Sequence, residues 1–188
     1  DDIVEPGQGF GTHGHKNAEI LTYVMEGRLE HKDSMGNGSI IEPGKLQYMS
    51  AGSGVTHSEF NPSRDRRVHL LQIWILPDAS GGEPRYAEHA LPKATPPNGL
   101  TLAFCDKPRD GALAIRADAD VYLGRLEAGG SLVHRTSPTR GVWLHVFAGS
   151  LTLGGTMLAE GDGAAIEQAA EIALGSVDGA EFLLFDLR

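Results

Sequence analysis

The sequence predicts an all-β protein built as a barrel or sandwich, and three observations carry that prediction. Short runs rich in β-branched and aromatic residues recur between Gly, Pro, Asn and Asp. No long stretch shows helical periodicity with caps, so helices are expected to be few and short. The two halves of the chain also resemble distant copies of each other, which points to two similar barrels in tandem.

The elements follow in order. Ile20 to Met25 reads as a strand, Glu26-Gly27 as a turn, and Arg28 to Asp33 as a strand with alternating faces. Gly36-Asn37-Gly38 supplies residues that tolerate positive φ, as a tight hairpin needs, and Ser39 to Ile41 returns. Pro43-Gly44 is a second turn, leading into Leu46 to Met49. After the glycine-rich 51–54, Val55 to Phe60 and the long apolar run Val68 to Leu76, interrupted by Gln72, complete the first half. Between Pro77 and Gly99 the character changes. Gly81-Gly82, Pro84, Pro92 and Pro96-Pro97 break any regular element, as expected of a crossover between two domains, placed here at 1–90 and 91–188. Strands resume at Leu100 to Phe104, Leu113 to Arg116, Val121 to Leu126, Val142 to Phe147 and Phe182 to Leu187. The repeat is visible in the turns: Glu26-Gly27-Arg28-Leu29 and then Glu42-Pro43-Gly44 in the first half, Ala148-Gly149-Ser150-Leu151 and then Glu160-Gly161-Asp162 in the second.

Composition narrows the function classes. A chain of 188 residues can bury a substantial core without staples. Its one cysteine, Cys105, sits in an apolar run, where it packs as a small inert hydrophobe, and the lack of any intramolecular disulfide favours a reducing compartment such as the cytoplasm. A net charge of -9 with no cluster of Lys or Arg argues against direct binding to nucleic acid. Arg64, Arg66 and Arg67, beside an aspartate on a polar loop, read as a solvated face. No apolar run approaches the ~20 residues of a spanning helix, so a soluble protein is expected. The chain opens on Asp1-Asp2-Ile3-Val4, without initiator methionine or signal-peptide pattern, and reads as trimmed at its start.

The chemistry is concentrated in two short pairs. His13-Gly14-His15 places two imidazoles at i and i+2, on one face of a strand, and His57-Ser58-Glu59 repeats that geometry. On neighbouring strands facing a barrel interior, His13, His15, His57 and Glu59 would present three nitrogens and one carboxylate oxygen to one divalent metal ion. That set suits Fe, Mn, Co, Ni, Cu or Zn, and the absence of thiolate argues against a closed structural zinc site. Open positions would remain for water, dioxygen or a chelating substrate. His31, His69, His89, His134 and His145 lack such partners and read as ordinary strand histidines. Trp74 and Trp143 are expected to fill cores.

These residues carry a family resemblance. Gly7, His13, His15, Glu19 and Gly27 resemble the first cupin motif, and Gly44, Gly52, His57 and Asn61 the second. The stretches 9–15, 23–27, 30–38 and 50–59 resemble the pirin family of bicupins more closely, and the likeness extends, more weakly, to 183–187. Ser50 in place of the usual proline, and two extra residues between Gly52 and His57, are pirin-like as well. The resemblance implies two tandem cupin, jelly-roll-like barrels. It also implies a metal held by His13, His15, His57 and Glu59, where many cupins use the first-motif carboxylate, here Glu19. Glu19 shares the parity of His15 on an ideal strand and is kept as a supporting group or alternative ligand.

Carrying positions over from Gly27 to Gly149 sets Arg135 and Ser137 where His13 and His15 stand. From Gly44 to Gly161, Leu174 and Ser176 replace His57 and Glu59, so a metal-free C-terminal barrel is expected. The resemblance further implies quercetin 2,3-dioxygenase activity on a small aromatic or enolic substrate with dioxygen, iron being the first expectation for the metal and Glu59 the catalytic carboxylate. The alternative it implies is a metal- or redox-sensing regulator that binds a protein partner. Pirins usually carry further N-terminal strands that complete the first barrel before the stretch matching Asp1-Asp2.

Overall fold

The computed structural model describes residues 1–90 and 95–188, and these are all strand, turn and loop, with no helix among them. Pro92 and the expected junction at 90/91 touch residues outside that range. The chain divides into two compact units, Asp1–Lys93 with Ile115–Ala117, and Ala94–Ala114 with Asp118–Arg188. Each is a set of curled, almost wholly antiparallel sheets of the cupin kind.

In the first unit the strands are β1 (Asp2–Val4), β2 (Gly9–His15), β3 (Glu19–Glu26), β4 (Leu29–Asp33), β5 (Gly38–Ile41), β6 (Lys45–Ser50), β7 (Val55–Phe60), β8 (Val68–Ile75) and β9 (Arg85–Ala90). One sheet has the order β1-β8-β3-β6-β9 and the other β2-β7-β4-β5. β9 lies inside the stretch expected to hold no regular element: between Pro84 and Pro92, Tyr86, Ala87 and Glu88 pair with Met49, Tyr48 and Gln47. Prolines bracket a strand here rather than abolish it, since Pro is excluded only where it must donate to the ladder.

Register explains where the polar residues go. Directly opposed residues share a face, so Ile20, Thr22 and Val24 of β3 lie with Trp74, Gln72 and Leu70 of β8. Val24, Leu29, Ile41, Val68 and Leu70 form one buried apolar cluster with Val4, and Ala18, Ile20, Met49, Ala51 and Val55 form another. Each fully buried aliphatic side chain contributes about 2 kcal/mol. Successive same-face positions leaving these clusters are polar: His31 and Asp33 after Leu29, His57 and Glu59 after Val55, and Gln72 after Leu70. The unit thus has apolar clusters and a polar layer built from the same strands.

The second unit comprises β10 (Gly99–Cys105), β11 (Leu113–Ala114), β12 (Ala119–Leu126), β13 (Ser131–Arg135), β14 (Gly141–Leu153), β15 (Thr156–Ala159), β16 (Gly163–Ile166), β17 (Glu171–Gly175) and β18 (Ala180–Leu187). β14, 13 residues long, pairs with β16 and β18 through its first half and with β15 and β17 through its second. Its core gathers Leu126, Val142, Leu144, Val146, Leu174, Phe182 and Leu184. Cys105 is buried there, and its thiol donates to the Lys107 carbonyl at 2.9 Å. Burial pushes its pKa up, so the thiol stays protonated and unreactive.

The turn glycines confirm the internal repeat in physical terms. Gly27 and Gly149 have φ of 77° and 74°, and a Cβ on either would overlap a backbone carbonyl oxygen, of Arg67 and Gly179 respectively. No other residue fits both the left-handed backbone and the close approach. Gly44 and Gly161 likewise match, with φ of 86° and 88°.

Candidate metal centre

The site is built on β2 and β7, which are antiparallel neighbours with His13 opposite His57 and Phe10 opposite Glu59, across a bulge between Phe10 and His13. The imidazoles of His13, His15 and His57 converge: ring centroids are 4.7 Å apart for His13 and His15, 4.5 Å for His13 and His57, and 4.8 Å for His15 and His57. Their ligand atoms form one group within 4.8 Å of one another. His57 also belongs to a second group of the same tightness, with Glu59 and His31. Exposure falls across the site, from His13, which is exposed, through His15 to His57 at 1% and Glu59 at 2%.

The donor set fits a metal. His57 is fully buried, yet neither ring nitrogen has a hydrogen-bond partner, and His15 Nε2 and His31 Nδ1 are equally unpartnered. Such a nitrogen costs about 1–3 kcal/mol when nothing replaces its lost water, and a bound cation is the replacement these geometries share. His13 Nδ1 donates to the Gly11 carbonyl at 2.7 Å, which leaves its Nε2 lone pair for ligation. Burial, with the nearby rings of His13, His15 and His31, lowers His57 to about 4 against the opposing pull of Glu59. His15 is lowered by burial and by His13. For Glu59, burial favours the neutral acid, but His31, His57 and Gln72 outweigh it and hold the carboxyl below its usual range. At neutral pH His15 and His57 therefore offer neutral imidazoles and Glu59 an ionised carboxylate, the protonation states a divalent metal requires.

Glu59 is oriented from β8. Gln72 Nε2 donates to Glu59 Oε2 at 2.7 Å, and Gln72 Oε1 accepts from Trp74 Nε1 at 3.1 Å. Glu59 Oε1 stands 3.8 Å from His31 Nδ1 and 3.9 Å from His57 Nδ1, beyond hydrogen-bond range. His31 is wholly buried, donates from Nε2 to Asp33 Oδ2 at 3.2 Å, and stacks on Tyr86 with centroids 4.8 Å apart. Burial works against the His31 cation, and the carboxylates of Glu59 and Asp33 prevail, raising its pKa. Asp33 is pinned in turn by the backbone N–H groups of Met35 and Asn37, at 2.9 and 3.0 Å, so the hairpin at 34–37 holds the far end of this chain.

Several sequence expectations need correction. Glu19 faces the other way: its carboxylate accepts from Tyr48 Oη at 2.5 Å, Ser50 Oγ at 2.6 Å and the Arg116 backbone N–H at 3.0 Å. Parity counted from His15 does not reach it, because β2 ends at His15 and Asn17 takes φ of 53° before β3 begins in the other sheet. Trp74 and Trp143 do not fill cores, being 59% and 42% exposed. His31, read as unpaired, stands two residues from Asp33 and beside Glu59; the same i, i+2 spacing that marked His13-His15 was the available signal. Gln72 announced itself as a polar interruption of an apolar strand. At the positions carried over to the second half, Arg135 pairs with Glu171 at the surface, Leu174 is buried, and Ser176 Oγ donates to the Ser150 carbonyl at 2.7 Å. His134 donates to Asp186 at 2.9 Å.

Comparison with known proteins agrees with this architecture. The family model described as Pirin matches residues 1–75, and the one described as Quercetinase C-terminal cupin domain matches residues 102–187. The quercetin 2,3-dioxygenase of Escherichia coli strain K12 is 43% identical over 187 residues, spanning 100% of this chain and 80% of that protein. The crystal structure of YhhW from Escherichia coli superposes with a TM-score of 0.95 at 42% identity, covering 99% of this chain and 78% of that one. Bacterial pirin YhhW in complex with nickel(II) gives a TM-score of 0.92 at 43% identity, covering 98% and 79%. With its motifs, its paired barrels and these relatives in agreement, the chain belongs to the pirin family.

Proposed function

We propose that the chain is a metal-dependent dioxygenase of the quercetin 2,3-dioxygenase type, with one divalent transition metal held by His13, His15, His57 and Glu59 in the N-terminal half, 1–90, while the half at 91–188 is metal-free. The observation that carries this reading is the convergence of the His13, His15 and His57 imidazoles, those of His15 and His57 with unpartnered buried nitrogens, next to the ionised Glu59, in a chain whose relatives bear that activity in their names. Iron is the first choice for the metal, with Cu, Ni, Co, Mn or Zn as alternatives; nickel(II) is the ion in the pirin complex.

When bound, the metal supplies Lewis acidity toward an enolic hydroxyl and a path for electrons to dioxygen. The protein does the rest. His13 and His15, on the exposed side, leave that side open to a flavonol presenting its 3-hydroxyl and 4-carbonyl. Glu59 accepts the hydroxyl proton, and Gln72 holds the carboxylate for that transfer. Both atoms of dioxygen enter the product as the ring opens, and one ring carbon leaves as carbon monoxide. A cytoplasmic setting belongs to the proposal, on the strength of a single buried cysteine; among the described residues no helix is long and apolar enough to cross a membrane.

The test is carbon monoxide release from quercetin by protein loaded in turn with each of these metals. Stoichiometric release, abolished in His57→Ala, is expected. Inactivity with every one of them would overturn the reading.

A further inference from the structure

The carboxylate of Glu59 accepts a hydrogen bond from Gln72, and the residue behind that bond opens onto solvent. Gln72 and Trp74 sit two apart on β8, on the face that Thr22 and Ile20 share across the ladder. The Gln72 amide spans them, its N–H on Glu59 Oε2 at 2.7 Å and its oxygen on the Trp74 indole N–H at 3.1 Å. Because an amide can turn end for end, the indole donor fixes which end meets the carboxylate. The Trp74 ring itself meets the His15 ring at 88° with centroids 4.7 Å apart, yet 59% of the residue remains exposed. An indole left this open, touching one candidate ligand directly and a second through Gln72, is misplaced as a core residue and well placed as a wall of the entrance. Phe10, opposite Glu59 in the β2–β7 register and 39% exposed, adds a second aromatic on the ligand side.

We propose that Trp74 is the substrate-facing residue of this site, stacking a planar aromatic ring on its open surface, and that through Gln72 its N–H positions the Glu59 carboxylate. This rests on the dioxygenase reading for the identity of the substrate alone. The ring-binding and positioning roles are properties of the chain and are measurable without turnover.

The ring-binding role is tested with flavone, a planar ring system without the 3-hydroxyl, in equilibrium dialysis against metal-free protein. Trp74→Leu is expected to raise the dissociation constant about tenfold, and Trp74→Phe to leave it within about threefold, since the phenyl ring still stacks. The positioning role is tested on cobalt(II)-loaded protein by visible absorption. Trp74→Phe, which keeps the ring and loses the N–H, is expected to shift the cobalt bands in the same direction as Gln72→Leu. Both variants should keep the melting temperature of the parent within a few degrees, because Trp74 is open to solvent and Gln72 keeps its volume. Equal flavone binding by the parent and Trp74→Leu would overturn the ring-binding role. Cobalt bands in Trp74→Phe identical to the parent, while Gln72→Leu shifts them, would overturn the coupling through the indole. Absence of carbon monoxide from quercetin would sink the dioxygenase reading and leave both results standing.

Discussion

His13 and His57 face each other across the β2–β7 ladder with ring centroids 4.5 Å apart, and the ring of His57 has no hydrogen bond at either nitrogen. A buried imidazole in that condition is a cost to the metal-free fold. We expect His57→Leu, in metal-free protein, to leave the melting temperature unchanged or to raise it. The same substitution should abolish the stabilisation that nickel(II) brings, which for the parent at a hundredfold excess over its dissociation constant is about 2.7 kcal/mol. Thermal denaturation with and without nickel(II) measures both. A metal-free variant that melts more than about 8 °C below the parent would show that His57 has structural partners after all.

Glu19 tests the other carboxylate. Removing it in Glu19→Ala strands Tyr48, Ser50 and the Arg116 N–H, all bonded to it inside the fold. Losing three hydrogen bonds inside the fold should cost about 3 kcal/mol or more, read from urea denaturation. Metal stoichiometry should stay at that of the parent. A loss of metal together with retained stability would make Glu19 a ligand and sink its assignment as a structural group.

Acid stability should depend on Asp186 in the second unit. Its carboxylate accepts from His134 at 2.9 Å and from Arg140. Burial pushes the carboxyl up, and the bonds and charge around it outweigh burial, so its folded pKa is lowered. A lowered pKa contributes stability that is complete above the unfolded value, about 4, and is lost as pH falls through the folded value. Urea midpoints between pH 2 and 6 should therefore fall more steeply for the parent than for Asp186→Asn. Parallel acid limbs in the two proteins would refute the assignment.

The turn glycines should rank by what surrounds them. Gly44→Ala meets nothing within 4 Å at φ of 86°, so it carries the left-handed penalty alone, about 1 kcal/mol. Gly27→Ala and Gly149→Ala add an overlap with a carbonyl oxygen that cannot move without its strand, and should cost more than twice as much. Chemical denaturation of the three variants checks the order. Equal losses would mean that backbone strain, not the close approach, sets the cost.

Much of this architecture is legible along the chain because alternation is a local property. Val55 to Phe60 is read at its true bounds, since a strand with one buried face writes its period into every second residue. β13, β15, β16 and β17 escape that reading: they are only 4 or 5 residues long, too short to write a clear period, and it is their pairing, β15, β16 and β17 with β14 and β13 with β17, that makes them strands. β9 escapes for the same reason, held by β6 between two prolines.

What the sequence determined by itself is the pairing of residues two apart, His13 with His15 and His57 with Glu59, because a strand sends such residues to one face whatever lies around it. Which strands then become neighbours is set by contacts far apart in the chain. Only the tertiary structure brings Gln72 of β8, with Trp74 behind it, and His31 of β4 to Glu59, and only it turns Glu19 toward Tyr48 and Ser50. The physical reason is that parity survives within a strand and is lost at each turn, as it is at Asn17, so the side that a residue faces after a turn is decided by the sheet it joins.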